Sequence, residues 1–271
     1  MVAGEPFRIV FFGTPEFAVP TLDALLRTRH SVVAVVTQPD RPRGRGHKYT
    51  HAPVKQRAIA ASLSILQPER LKDPLFLDAL SALRADVGIV AAYGKILTDA
   101  VLAAPRLGLL NVHASILPRY RGAAPVHRAV IAGETETGVT IMRVVKALDA
   151  GPMLAVARRP IAPDDTSDEV ERDLAALGAQ LLANTLEALA EDRIHEKQQD
   201  DSEATYAHRL TKADGVIDWT QPAGRVHNLI RGLHPWPHAY TFLPGGRLIL
   251  LRSAVFGSAR TEHSSRPSPR S

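Results

Sequence analysis

Four apolar runs without polar alternation constrain this chain most: RIVFFG (8–13), SVVAVVT (31–37), DVGIVAA (86–92) and GLLNVH (108–113). A strand with one wet face alternates apolar and polar residues, so a strand that does not alternate is covered on both faces. Stretches with helical spacing lie between these runs. PEFAVPTLDALLRTRH (15–30) carries Phe17, Leu22, Leu25 and Leu26, APVKQRAIAAS (52–62) opens at Pro53, and DPLFLDALSALRA (73–85) repeats Leu75, Leu77, Leu80 and Leu83. SIL (64–66) adds a short strand. Buried strands alternating with helices predict an α/β fold built on a doubly wound, mostly parallel sheet.

Further strands are expected at GVTIMRVV (138–145) and PMLAVARRPI (152–161), with the turn-forming LDAG (148–151) between them. The plainest helix spans 165–193, where Asp165, Thr166 and Ser167 are cap candidates and acids crowd the first turns. These elements predict a catalytic-sized domain over 1–193. A linker is expected over 194–211, a partial β domain over 212–257, and a disordered tail over 258–271, which has no large apolar side chain.

The 271 residues contain no cysteine, which excludes a disulfide framework and a thiolate zinc site and suits a reducing cytoplasm. The opening MVAGEPFRIV predicts no secretory signal, and the apolar runs are too short to span a bilayer, so no membrane role is expected. Charge is unevenly placed. Residues 1–204 hold 24 Lys and Arg against 25 Asp and Glu, whereas residues 205–271 hold 9 against 3. The second part is a basic appendage suited either to a polyanion such as nucleic acid or simply to keeping the surface soluble.

A Rossmann-like sheet suggests a dinucleotide, but the first strand runs into GTPEFA (13–18), with Pro15 and Glu16 where close-approach glycines are required. Function must therefore be read from polar groups at the strand ends. Asn111 and His113 share one face of the GLLNVH strand, because side chains repeat with period two, and both leave the sheet at its carboxyl end. An imidazole moves protons near neutral pH. An amide N–H₂ donates to an oxygen gaining charge, an effect worth ~3 kcal/mol. Such chemistry calls for a carboxylate beside the imidazole, and Asp149 in the LDAG turn is the best candidate. Taken singly, a strand-end His, a turn Asn and an Asp before Ala-Gly are ordinary structural residues.

The surrounding strings change that balance. FFGTPEFAVPTLDAL, TQPDRPRGRG, APVK, AYGKIL, LNVHASILPRYRGAAPVHRAVIAGETETGVTIMRV, LDAG, the IDW of 217–219 and the PWP of 235–237 occur in order. Together they resemble the formyltransferase family that uses 10-formyltetrahydrofolate, and within it the branch acting on methionyl-tRNA. The resemblance covers nearly all of residues 7–255. It implies that Asn111, His113 and Asp149 are the catalytic trio. Ser115, Ile116, Leu117 and Pro118 match the folate-binding loop. Ala92, Tyr93, Gly94, Ile96 and Leu97 match the segment walling the pterin pocket. Arg41, Arg43, Arg45 and Lys48 fall in the insertion that touches the acceptor end of the tRNA. The implied reaction moves a formyl group from 10-formyltetrahydrofolate to the α-amine of initiator methionyl-tRNA, for translation initiation, without a metal, in a cytoplasmic monomer.

The family continues into a C-terminal β-barrel of about a hundred residues. Here the match stops near residue 255 and a Ser/Arg/Pro-rich tail follows, which reads as a truncated or frame-shifted end with an incomplete barrel. Three other readings compete: formyl transfer to a small amine such as an amino sugar or ribonucleotide amine, a non-catalytic folate- or tRNA-binding remnant, and a nucleotide-dependent oxidoreductase, against which the glycine-poor first loop argues.

Overall fold

The apolar runs form the strands they predict. A computed structural model of the chain describes residues 4–43 and 48–256. Arg45 and the tail 258–271 lie outside the described residues. One sheet contains β1 (Arg8–Gly13), β2 (Ser31–Val36), β3 (Ile65–Leu66), β4 (Val87–Ala91), β5 (Leu109–His113), β6 (Glu136–Arg143) and β7 (Met153–Pro160). Their spatial order is β7-β6-β5-β4-β1-β2-β3. The first five are parallel. β6 runs antiparallel to β5, and β7 antiparallel to β6. The order reverses between β1 and β4, the place where doubly wound sheets open a crevice at their carboxyl ends.

Each buried strand feeds two cores. Ile9, Phe11, Val35, Ile89, Leu110 and Val112 pack with Leu22 and Leu25 of α1 (Val19–Leu25) and with Leu174, Leu182 and Leu186 of α6 (Ser167–Ala190). Val10, Phe12, Ala34, Val36 and Leu109 face the other way, onto Phe76 and Leu80 of α3 (Pro74–Ala82) and Val101 of α4 (Asp99–Ala103). Helices α2 (Pro53–Ala60) and α5 (Pro125–Ala132) complete the layers. The helix predicted over 15–30 is shorter than its pattern, because Pro15 leads into a 3₁₀ turn at Glu16–Ala18 and Pro20 then opens α1.

Residues 194–211, expected to be a linker, are docked on the sheet body. Lys197 and Met153 exchange N–H···O bonds of 2.8 Å, and Tyr206–Ala207 pairs in parallel with Arg121–Gly122. Polar composition concealed this strap, because backbone pairing needs no apolar side chains. The chain then forms α7 (Ala223–Gly232) and a hairpin of β8 (Ala239–Leu243) and β9 (Gly246–Leu250). Leu210, Ile217, Ile230, Leu233 and Ala239 build a small core against Ala124 and Ile131 of the α5 region. Among the described residues the C-terminal segment holds this one antiparallel ladder and no closed barrel. Phe242, 67% exposed, Leu248 and Leu251 are left facing solvent.

Candidate active site

A cavity of about 660 Å³ opens at the carboxyl ends of β4 and β5. Its wall is made from three chain segments that the sheet brings together: 90–97 after β4, 111–114 at the end of β5, and 144–149 after β6, with residues 122–127 closing the side. Asn111, His113 and Asp149 all stand on this wall. Period two places Leu109, Asn111 and His113 on one face of β5; Leu109 belongs to the core and the two polar residues to the cavity.

His113 is buried. Its Nε2 lies 3.0 Å from the Tyr120 carbonyl oxygen. A carbonyl only accepts, so Nε2 carries the proton and Nδ1 is the free base of the neutral ring. Nδ1 lies 3.7 Å from Asp149 Oδ2. The same carboxylate oxygen accepts the Gly122 N–H at 2.8 Å. Asp149 sits in the left-handed region at φ 47°. Its carbonyl and that of Gly151 each accept from Gln199 Nε2 at 2.8 Å. Asn111 is half-buried, and among the described residues its amide has no hydrogen-bond partner, leaving its donors open to the cavity.

Ala92, Tyr93, Gly94, Ile96 and Leu97 line the cavity. Thr14 Oγ1 and Gln38 Nε2 donate to the Tyr93 carbonyl and fix this bend. Burial pushes the Tyr93 phenol up to about 12. Ile96 is 90% exposed at the cavity mouth. Two titratable groups on the wall were not singled out in the sequence. Burial, followed by Asp168, pushes the Glu171 carboxyl up; burial, followed by Arg128, pushes His127 down.

The structure does not put Ser115, Ile116, Leu117 and Pro118 on the cavity wall. Ser115 is buried and donates to the Arg119 carbonyl at 2.6 Å, while Thr140 Oγ1 donates to the Ser115 carbonyl and accepts the Leu117 N–H. Leu117 packs on Met142 and Met153. The turn is held by these bonds to Arg119 and Thr140, and the Tyr120 carbonyl that follows it faces His113. Of the cationic loop, Arg41 is exposed, and Pro42–Arg43 pairs with Lys48–Tyr49. The base of this loop is fastened by Asp40, which binds Lys55 and His51 and is held below the usual carboxylate range by Lys55. Among the described residues no group of three His, Cys, Asp or Glu side chains is arranged to hold a metal, and no helix is long and apolar enough to cross a membrane.

Residues 7–186 match the formyl transferase family, and residues 209–268 match the formyl transferase C-terminal domain. The chain belongs to the formyltransferase family. Similar proteins include the methionyl-tRNA formyltransferase of Stutzerimonas stutzeri, 48% identical over 256 residues, or 94% of this chain and 81% of that one. The methionyl-tRNA formyltransferase of Caldanaerobacter subterraneus is 50% identical over 249 residues, 92% of this chain and 81% of that one. Among solved structures, glycinamide ribonucleotide transformylase 1 of Symbiobacterium toebii shares the fold at TM-score 0.60 and 22% identity, covering 72% of this chain and 95% of that one. An N-formyltransferase from Helicobacter canadensis does so at TM-score 0.68 and 16% identity, covering 88% and 84%. The C-terminal match of this formyltransferase extends to 268, past the point near 255 where the sequence strings cease to be recognisable.

Proposed function

We propose that this formyltransferase moves the formyl group of 10-formyltetrahydrofolate onto the α-amine of initiator methionyl-tRNA, for translation initiation. The observation that carries the reaction class is the convergence of Asn111, His113 and Asp149 on one cavity wall, with imidazole and carboxylate 3.7 Å apart. The relatives carry the choice of acceptor, since they are methionyl-tRNA formyltransferases aligned over nearly the whole chain. The cavity has the volume of a small-molecule site and a largely apolar wall at 90–97, which suits a flat heterocycle. The bound folate supplies an activated formyl carbon and a nitrogen leaving group.

The residues then divide the work. The attacking amine must be unprotonated, and a free α-amine titrates near ~7.7–8.0, so little is needed to release its proton. The Asn111 amide donates to the formyl oxygen as it gains charge. His113 Nδ1 is placed to take the amine's proton and return it to the departing nitrogen, directly or through a water. Asp149 stabilises the imidazolium that forms. A new C–N bond to the amine replaces the one to the folate, and the proton passes between the two nitrogens. On this reading the chain acts as a monomer in the cytoplasm, where a tRNA acceptor is found. Arg41, Arg43, Arg45 and Lys48 supply the phosphate-facing cations, aided by the basic residues beyond 204.

The test is a formylation assay of the purified chain with 10-formyltetrahydrofolate and, in parallel, methionyl-tRNA, an amino sugar nucleotide and a ribonucleotide amine. N-formylmethionyl-tRNA as the preferred product is expected. Preference for a small amine, or tight folate binding without transfer to any acceptor, overturns the reading.

A further inference from the structure

Within the docked strap, one side chain satisfies all of its hydrogen-bonding capacity on the two sides of the candidate site. The two Nε2 hydrogens of Gln199 go to the carbonyls of Asp149 and Gly151, both at 2.8 Å. Its Oε1 accepts from Arg121 Nε at 3.0 Å and Nη2 at 2.8 Å. Arg121 is 3% exposed, and its Nη2 also reaches Asp201 Oδ1 at 2.7 Å. The next residue, Gly122, gives its N–H to the Asp149 carboxylate. The loop is thus held twice: by its carboxylate from Gly122 and by its main chain from Gln199.

That second hold matters because the loop is not in a resting shape. Asp149 carries a Cβ in the left-handed region, which L-residues disfavour. Gly151 is pressed against the end of β6, where an added Cβ would fall 1.9 Å from the Arg143 carbonyl oxygen. Among the described residues no other side chain donates to the Asp149 or Gly151 carbonyl. Asp149 and His113 are 3.7 Å apart, too far for a direct hydrogen bond, so their interaction depends on loop placement alone.

We propose that Gln199 is the positioning residue for Asp149, acting through the loop main chain and not by touching the substrates. This rests on the reading of Asn111, His113 and Asp149 as the catalytic trio. It assigns a role to the strap beyond joining the two parts of the chain: its passage over residues 149–151 completes the site.

Steady-state kinetics of the full chain test it, with Gln199→Ala, Gln199→Glu, Asp149→Asn, the Gln199→Ala/Asp149→Asn double variant and the neighbouring exposed Gln198→Ala as control. Gln199→Glu keeps an acceptor for Arg121, and with it the docked strap, but removes both amide donors. Displacing a catalytic group by an ångström costs up to ~10²-fold. Both Gln199 variants should lower kcat ~10- to 100-fold, with KM for donor and acceptor near the wild-type values and Gln198→Ala unaffected. In the Asp149→Asn background, Gln199→Ala should cost nothing further, because the two act as one unit. An unchanged kcat in Gln199→Glu, or losses that multiply in the double variant, overturn the proposal. The ¹⁵N resonances of the His113 ring give a readout without turnover. They should move in Gln199→Ala as they do in Asp149→Asn, and unmoved resonances overturn it. A wild-type chain that transfers no formyl group defeats the functional reading, while the ring resonances still decide the positioning role.

Discussion

His113 takes its proton location from a main-chain oxygen and its electrostatic partner from a loop 36 residues further on. The Tyr120 carbonyl fixes the Nε2–H tautomer, so the group facing Asp149 is a lone pair in the neutral ring and an N–H once it takes a proton. In the proposed reaction the ring cycles between these states, held on its far side by the Tyr120 carbonyl and with no hydrogen bond to Asp149 on its near side. His113→Ala should therefore lower kcat by ~10²–10⁴-fold and Asn111→Ala by ~10²–10³-fold; the urea midpoint should hardly move for the half-buried Asn111, while loss of the buried His113 ring and its bond to Tyr120 should cost ~1–3 kcal/mol. Single-turnover rates and equilibrium unfolding on the same preparations check both halves; a larger loss of stability would mean that these residues serve the fold. Asn111 and His113 were legible in the sequence because period two at a strand end dictates where both side chains emerge. Asp149 was legible by residue type and turn context. Gln199 was not, because its bonds join positions 50 apart and a glutamine in a polar stretch carries no periodic signal. The internal bonding of the Ser115–Pro118 turn was hidden for a related reason: its polar groups pair with Arg119 and Thr140, and no local pattern marks either partner.

At the scale of elements, α6 decides how β5 is seated. Gly178 of α6 faces Val112, the residue between Asn111 and His113, and an added Cβ would fall 2.7 Å from Val112 Cγ1 and 3.1 Å from Val139 Cγ1. A methyl there must push on the strand that carries the site, against whatever helix propensity it gains. Gly178→Val adds a branched side chain in the same space and should destabilise by ~1–3 kcal/mol, as overpacking does, and lower kcat as well. Denaturant midpoints and turnover read together test this; a stable variant with normal kcat would show that β5 is not set by this contact. The helix start was open in the sequence among Asp165, Thr166 and Ser167. The structure selects Thr166, which forms a capping box with Glu169, because Asp165 is drawn to the Ala162 N–H and the Arg159 guanidinium. Thr166→Ala should cost ~1 kcal/mol in the same unfolding assay. Strand existence and order class followed from apolar runs; the docking of the strap did not, because its ladder bonds are made by backbone alone.

At the scale of the molecule, a polar seam joins the sheet body to the C-terminal segment. Arg128 Nη2 binds Asp214 Oδ1 at 2.8 Å, and Arg231 donates to the carbonyls of Ala162 and Asp165. Burial alone would raise the Asp214 carboxyl, but hydrogen bonds from Thr211 and the Arg128 charge bring it below its ordinary value. A carboxyl lowered in the folded state adds stability above its unfolded pKa of ~3.9 and loses it as pH falls through the folded value. The seam should therefore hold at neutral pH and loosen on acidification below about pH 4. Both tryptophans, Trp219 and Trp236, lie in the C-terminal segment, so tryptophan emission excited apart from the tyrosines reports on that part. In Asp214→Asn, Arg128 loses its charged partner. The segment should be released at lower denaturant concentration at pH 7, and its stability should vary less with pH between 5 and 3 than in the wild type. A wild-type fluorescence transition in Asp214→Asn at both pH values would locate the attachment elsewhere, in the small core of Leu210, Ile217, Ile230 and Leu233 packed on α5.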